Sequence, residues 1–102
     1  MYMDFEQPNS VGFTVYCKSG CPPCSKVKHL LREKQLRLTE ILCDDYIVEE
    51  KERFLSFIQA RAGTQCATFP MVFYDGRFVG GLAETVACVD KVLMSFEDIF
   101  DI

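Results

Sequence analysis

The sequence has no run of basic residues, no apolar stretch approaching the ~18 residues needed to span a bilayer, and a single histidine. Each absence removes a class of function. Without a basic stripe there is nothing to displace counterions from a nucleic acid, and the formal charge of −4 works against such a partner. Met1 to Ser10 carries acids and no apolar core, so it does not read as a secretory leader. The chain is therefore expected to be cytoplasmic and monomeric, with neither nucleic acid nor membrane as partner. Zinc needs four ligands, usually as two pairs. His29 stands alone and no second Cys-x-x-Cys is present, so no metal site is expected.

What is present fits one domain over residues 1–102. The hydrophobic fraction of 49% and charged fraction of 25% are ordinary for a globular chain. Six cysteines stand at 17, 21, 24, 43, 66 and 88, three of them within eight residues. Nine phenylalanines supply a core without disulfide staples. The cysteine count then points to a reducing compartment and a catalytic or metal-binding cluster, not a secreted framework.

Hydrophobic patterning divides the chain into seven elements. Residues 11–17 alternate and are β-rich, a strand. A helix is expected over 22–35, with Val27, Leu30, Leu31 and Lys34 on one face. Pro22 and Pro23 mark its start, because the first turn has no use for the N–H groups they lack. Leu36 to Leu42 reads as a short strand that Asp44 and Asp45 end. A helix over 48–62 carries Phe54, Leu55, Ile58 and Ala62 on one face and stops at Gly63. Pro70–Tyr74, Asp75-Gly76 and Arg77–Val79 form a hairpin pattern. A last helix covers 83–95, with Val86, Val89 and Leu93 in register; the tail from Phe96 is left unassigned. The order β-α-β-α-β-β-α makes the first two strands parallel and the last two antiparallel. The expected fold is α/β, a four-stranded mixed sheet flanked by helices on both faces.

Cys21-Pro22-Pro23-Cys24 falls between a strand and a helix. A helix start sets residues three apart at roughly 5–6 Å between Cα atoms, within disulfide range. The helix end also offers partial positive charge and unpaired N–H groups, which favour thiolate over thiol at Cys21. Lys18 adds to that potential. Cys24, one turn inside, is expected to be more buried and to attack second. Cys17-x3-Cys21-x2-Cys24 also resembles the iron–sulfur triad of radical enzymes using S-adenosylmethionine, which are barrels much longer than this chain. Cys43, Cys66 and Cys88 read as small core or loop residues, and Cys17 as the buried end of the first strand.

Three separated segments resemble the glutaredoxin family: Val15 to Cys24, Thr68-Phe69-Pro70, and Asp75-Gly76-Arg77-Phe78-Val79-Gly80-Gly81. Their order and spacing agree over about residues 11–95. The resemblance implies the thioredoxin fold, a cis peptide bond before Pro70, and thiol–disulfide exchange with Cys21 as nucleophile and Cys24 as resolving thiol. It also implies glutathione as reducing co-substrate and no bound cofactor. Lys18 would hold the glycine carboxylate and Phe69 would pair its backbone with the cysteinyl part. Leu82 and Ala83 would offer N–H groups to the γ-glutamyl carboxylate. Pro23, Thr68, Pro70 and Gly81 complete the implied glutathione site. Pro23 stands where the family commonly has Tyr or Phe, and Ala83 where it has an acid or hydroxyl. Substrates would be protein disulfides, with ribonucleotide reductase as the family analogy, and glutathione mixed disulfides. Two alternatives within the family are a thioredoxin-like form reduced by thioredoxin reductase and an iron–sulfur cluster carrier.

Overall fold

The computed structural model describes residues 5–100, with side chains through Met94. Its elements run β1 (Phe13–Cys17), α1 (Pro22–Glu33), β2 (Leu38–Leu42), α2 (Asp44–Ala62), β3 (Met71–Tyr74), β4 (Arg77–Gly80) and α3 (Leu82–Phe100). The strands form one sheet in the order β2-β1-β3-β4. β1 pairs parallel with β2, Phe13 opposite Leu38, and antiparallel with β3, Phe13 opposite Tyr74. β3 and β4 form the antiparallel hairpin across Asp75-Gly76, both at positive φ as a tight turn requires. This is the thioredoxin-like arrangement expected from the sequence.

Alternation along the central β1 divides its side chains between two cores. Phe13, Val15 and Cys17 pack with Val72, with Cys24, Val27 and Leu31 of α1, and with Val89 of α3. Tyr16 points the other way, into Ile41, Met71, Phe73 and the α2 residues Phe54 and Ile58. Helices thus cover both faces. Phe54 is fully buried and touches the rings of Phe5, Tyr46, Tyr16 and Phe69. Truncating such a residue to alanine typically costs about 3–5 kcal/mol.

Most element edges shift by one or two residues from the expected ones: β1 starts at Phe13 and not at 11, α1 ends at Glu33 and not at 35, β2 starts at Leu38 and not at 36; the larger differences are in α2 and α3. α2 begins at Asp44, not at 48, so Asp44 and Asp45 occupy its first turn, where acids suit the helix dipole. Its backbone breaks from helical geometry at Glu50, and Gly63 ends it in the left-handed conformation, as expected. α3 continues to Phe100, past the expected 95. Within α3, Val86 is exposed and Thr85 is buried in its stead, its hydroxyl donating to the Gly81 carbonyl at 2.7 Å. That bond satisfies the polar atom, so a threonine can take a core position that hydrophobic periodicity gives to valine.

Candidate active site

β1 ends at Cys17, and the loop 18–20 carries the chain to Cys21, the N-cap of α1. Pro22 and Pro23 occupy the first two helical positions and have no N–H to offer. Cys24 supplies the first free donor, and it points its N–H at Cys21 Sγ over 3.3 Å. Cys21 and Cys24 are joined as a disulfide, with Cα atoms 5.2 Å apart. Cys21 keeps 8% of its surface open and Cys24 only 1%. The outer sulfur can be attacked and the inner one is reached through it, the asymmetry anticipated for this pair.

The loop between them and β1 is fixed from outside. Asp44, at the start of α2, accepts the Ser19 N–H at 2.9 Å on one oxygen and the Ser19 hydroxyl on the other. These two bonds, the hydroxyl one first, hold its carboxyl below the ordinary aspartate range, with Lys18 adding a smaller pull.

Cys21 opens onto a groove of about 430 Å³. Lys18, Pro23, Thr68 and Phe69 line it, so four of the expected binding residues share the groove with Cys21. The Lys18 ammonium lies 5.8 Å from the centre of the Phe69 ring. The Phe69–Pro70 bond is cis. Pro70 and Gly81 line a second hollow of about 350 Å³ that shares Thr68 with the first and also contains Cys66 and Glu84. Leu82 and Ala83 open α3 and line neither. The Gly81 N–H is engaged by the Glu84 carboxylate at 2.8 Å, half of a capping box within the chain.

The far wall of the first groove was missed by the sequence reading. It is made by Ile47, Lys51 and Leu55 of α2. Lys51 and Leu55 share a face at i, i+4, but the backbone break at Glu50 separates them from Ile47, so the wall they form together is set by the fold and no motif marks it.

The other cysteines have different surroundings. Cys17 and Cys43 are fully buried, and both thiols donate to the Ile41 carbonyl at 3.5 Å. Burial pushes Cys17, Cys66 and Cys88 up from the ordinary thiol range, and Cys43 up to about 12. All four are held as neutral thiols near neutral pH. Among the described residues no group of three or more His, Cys, Asp or Glu side chains could hold a metal ion.

The family model for glutaredoxins matches residues 13–79. Glutaredoxin 1 of Rickettsia conorii is 40% identical over 67 residues, 66% of this chain and 61% of that relative, so the match spans about three-fifths of the relative's length. Glutaredoxin 1 from Francisella tularensis, solved in complex with cacodylate, superposes with a TM-score of 0.69 at 29% identity, covering 79% of this chain and 94% of that one. A buckwheat glutaredoxin–glutathione complex gives a TM-score of 0.59 at 28% identity, covering 74% of this chain and 66% of that one.

Proposed function

The chain belongs to the glutaredoxin family, and from that premise we propose that it is a dithiol thiol–disulfide oxidoreductase that uses glutathione. The observation that carries the reading is Cys21 itself. It caps a helix whose first available N–H points at its sulfur, and it is the open member of a closable pair. A negative sulfur is stabilised there by that donor and by the helix end.

In the reaction, the Cys21 thiolate attacks one sulfur of a substrate disulfide. That S–S bond breaks, a Cys21–substrate disulfide forms, and the other substrate sulfur leaves as thiolate. Cys24, deprotonated, then attacks Cys21 Sγ, and the second substrate thiolate departs. Two electrons have passed from the dithiol to the substrate, leaving Cys21–Cys24 oxidised. Two glutathione molecules reduce it again and leave as glutathione disulfide. Lys18 beside Phe69 suits a carboxylate at one end of glutathione, the ligand held by the buckwheat relative.

A second reading has an observation of its own. Glu84 already occupies the Gly81 N–H, and Leu82 and Ala83 lie outside the groove, so the α3 end offers a second carboxylate less than the resemblance implies. That favours the thioredoxin-like form, reduced by thioredoxin reductase.

Cys24→Ser separates the two. A glutathione enzyme keeps activity on glutathione mixed disulfides, because a second glutathione resolves the intermediate, and loses activity on protein disulfides. A thioredoxin-like enzyme loses both. The measurement is NADPH consumption with either glutathione plus glutathione reductase or thioredoxin reductase. Loss in both assays together with wild-type turnover by thioredoxin reductase would overturn the glutathione reading.

A further inference from the structure

We propose that the groove beside Cys21 selects protein disulfides flanked by acidic residues, with Lys51 as the specificity-determining cation. The inference rests on the oxidoreductase reading above and names the substrate class of the same site.

The groove's charged lining is Lys18 and Lys51, both positive, with no carboxylate among its lining residues. The chain as a whole carries a net charge of −4, so this is a positive site on a negative protein. Neither lysine belongs to a salt bridge among the described residues. The acid nearest the loop, Asp44, is bonded to Ser19. Glu49, Glu50 and Glu52 do not line the groove, but with Lys51 and Arg53 they line a separate hollow on α2, where Glu50 pairs with Arg53, so Lys51 stands between the groove and an acidic patch. Between the lysines the wall is apolar, from Ile47, Leu55 and Phe69. An extended segment laid across Cys21 would therefore meet apolar surface and two ammonium groups outside any salt bridge, Lys18 over the Phe69 ring and Lys51 of α2. One carboxylate answers Lys18. The second ammonium, from α2, calls for an acidic side chain farther along a polypeptide. Val48, 83% exposed in the turn before Lys51, adds an apolar foothold for a partner larger than a tripeptide.

The test uses two synthetic peptides, each with one internal disulfide and identical except for flanking glutamates or glutamines. Reduction is followed with the complete chain, glutathione and glutathione reductase. The wild type is expected to favour the glutamate peptide in kcat/KM by about two- to five-fold, the worth of an exposed ion pair. The preference shrinks towards one at high salt, where screening acts over about 3 Å. Lys51→Gln shrinks the preference to the part that Lys18 supplies, and Lys26→Gln, on the exposed side of α1, leaves the preference in place. Equal rates in the wild type, or a preference that Lys51→Gln leaves undiminished, overturn the inference while leaving the oxidoreductase reading standing. A salt-sensitive dimer that Lys51→Gln dissolves gives the groove to a second copy and overturns it too. No reduction of either peptide, with glutathione and glutathione reductase or with thioredoxin reductase, overturns the oxidoreductase reading, and the inference with it.

Discussion

Two pairs of cysteines in this chain meet opposite surroundings. Cys21 and Cys24 lie at the head of α1, where the sulfur receives an N–H and one of the two faces a groove. Cys17 ends β1 and Cys43 stands at the N-cap of α2 just past β2, where each thiol is fully buried and donates to the same carbonyl. A sulfur that accepts a helix-start N–H is favoured as the anion; one that is buried and donates to a carbonyl is favoured as the protonated thiol, and Cys43, which caps α2 without accepting any N–H, falls in the second class. Reactivity here follows which backbone group meets the sulfur, and not the residue type. Cys17 and Cys21 differ by one turn of loop and reverse that polarity.

The sharpest way to break this contrast is to remove one sulfur at a time. Cys21→Ser is expected to abolish disulfide reduction and to remove the one fast-alkylating thiol of the reduced protein at neutral pH. Cys17→Ala is expected to keep both, since its sulfur offers neither access nor thiolate. Iodoacetamide labelling against pH, read by mass spectrometry, follows each thiol. A fast thiol persisting in Cys21→Ser would show that the wrong pair has been placed at the centre of the chemistry.

A smaller effect is expected at alkaline pH, from the buried pair. The folded Cys43 thiol titrates near 12 against 9.0 for a free one. Because its folded value is raised, the stability it contributes is fully present below about pH 9 and is lost as pH rises from there to about 12. Over that window the unfolded chain ionises first, and one such group lowers stability by about 1.4 kcal/mol per pH unit. Tyr16 and Cys17, also raised by burial, steepen the same slope. Chemical denaturation at several pH values checks it. Cys43→Ala is expected to lower stability at neutral pH by about 1 kcal/mol for the lost packing, and to flatten the alkaline slope by one proton. An unchanged slope would mean that Cys43 is not shielded as the structure has it.

The sequence made the fold legible because its signals were local. Pro22-Pro23 marks a helix start, Asp75-Gly76 a tight turn, and Gly63 a helix end, and each is decided within a few residues. The Cys21–Cys24 geometry was legible for the same reason, being one helical turn. The start of α2 was not, because Asp44 and Asp45 suit both the end of a strand and the first turn of a helix. Lys51 was invisible for a different reason. It shares a groove with Cys21 only because Phe54 and Ile58 pack α2 onto the sheet, which local pattern does not encode. The engagement of Gly81 by Glu84 sits between these cases: its spacing of three is a capping-box spacing, but without a hydroxyl at the cap the signal is weak.

The smallest expected effect lies where the two regions are joined. Asp44 follows the buried Cys43 and ties down Ser19, two residues before Cys21, so it transmits the fixed position of one pair to the loop of the other. It touches no reacting atom and acts as a positioning residue for the loop that presents Lys18. Its folded carboxyl is lowered, so the tie is intact above the ordinary aspartate range and is lost only as pH falls through that lowered value. At neutral pH Asp44→Ala frees both Ser19 donors, and the expected result is a few-fold rise in KM for glutathione with kcat little changed, since Lys18 loses its fixed place while Cys21 keeps its cap. Asp44→Asn retains one acceptor oxygen and is expected to recover most of the loss. The substitution also removes the titrating group, so any acid-side weakening of glutathione use due to the tie disappears in Asp44→Asn. A fall in kcat with unchanged KM in Asp44→Ala would place the effect on the sulfur and not on the loop. Identical behaviour of the alanine and asparagine variants would show that the hydrogen bonds to Ser19 are not what holds the two regions together.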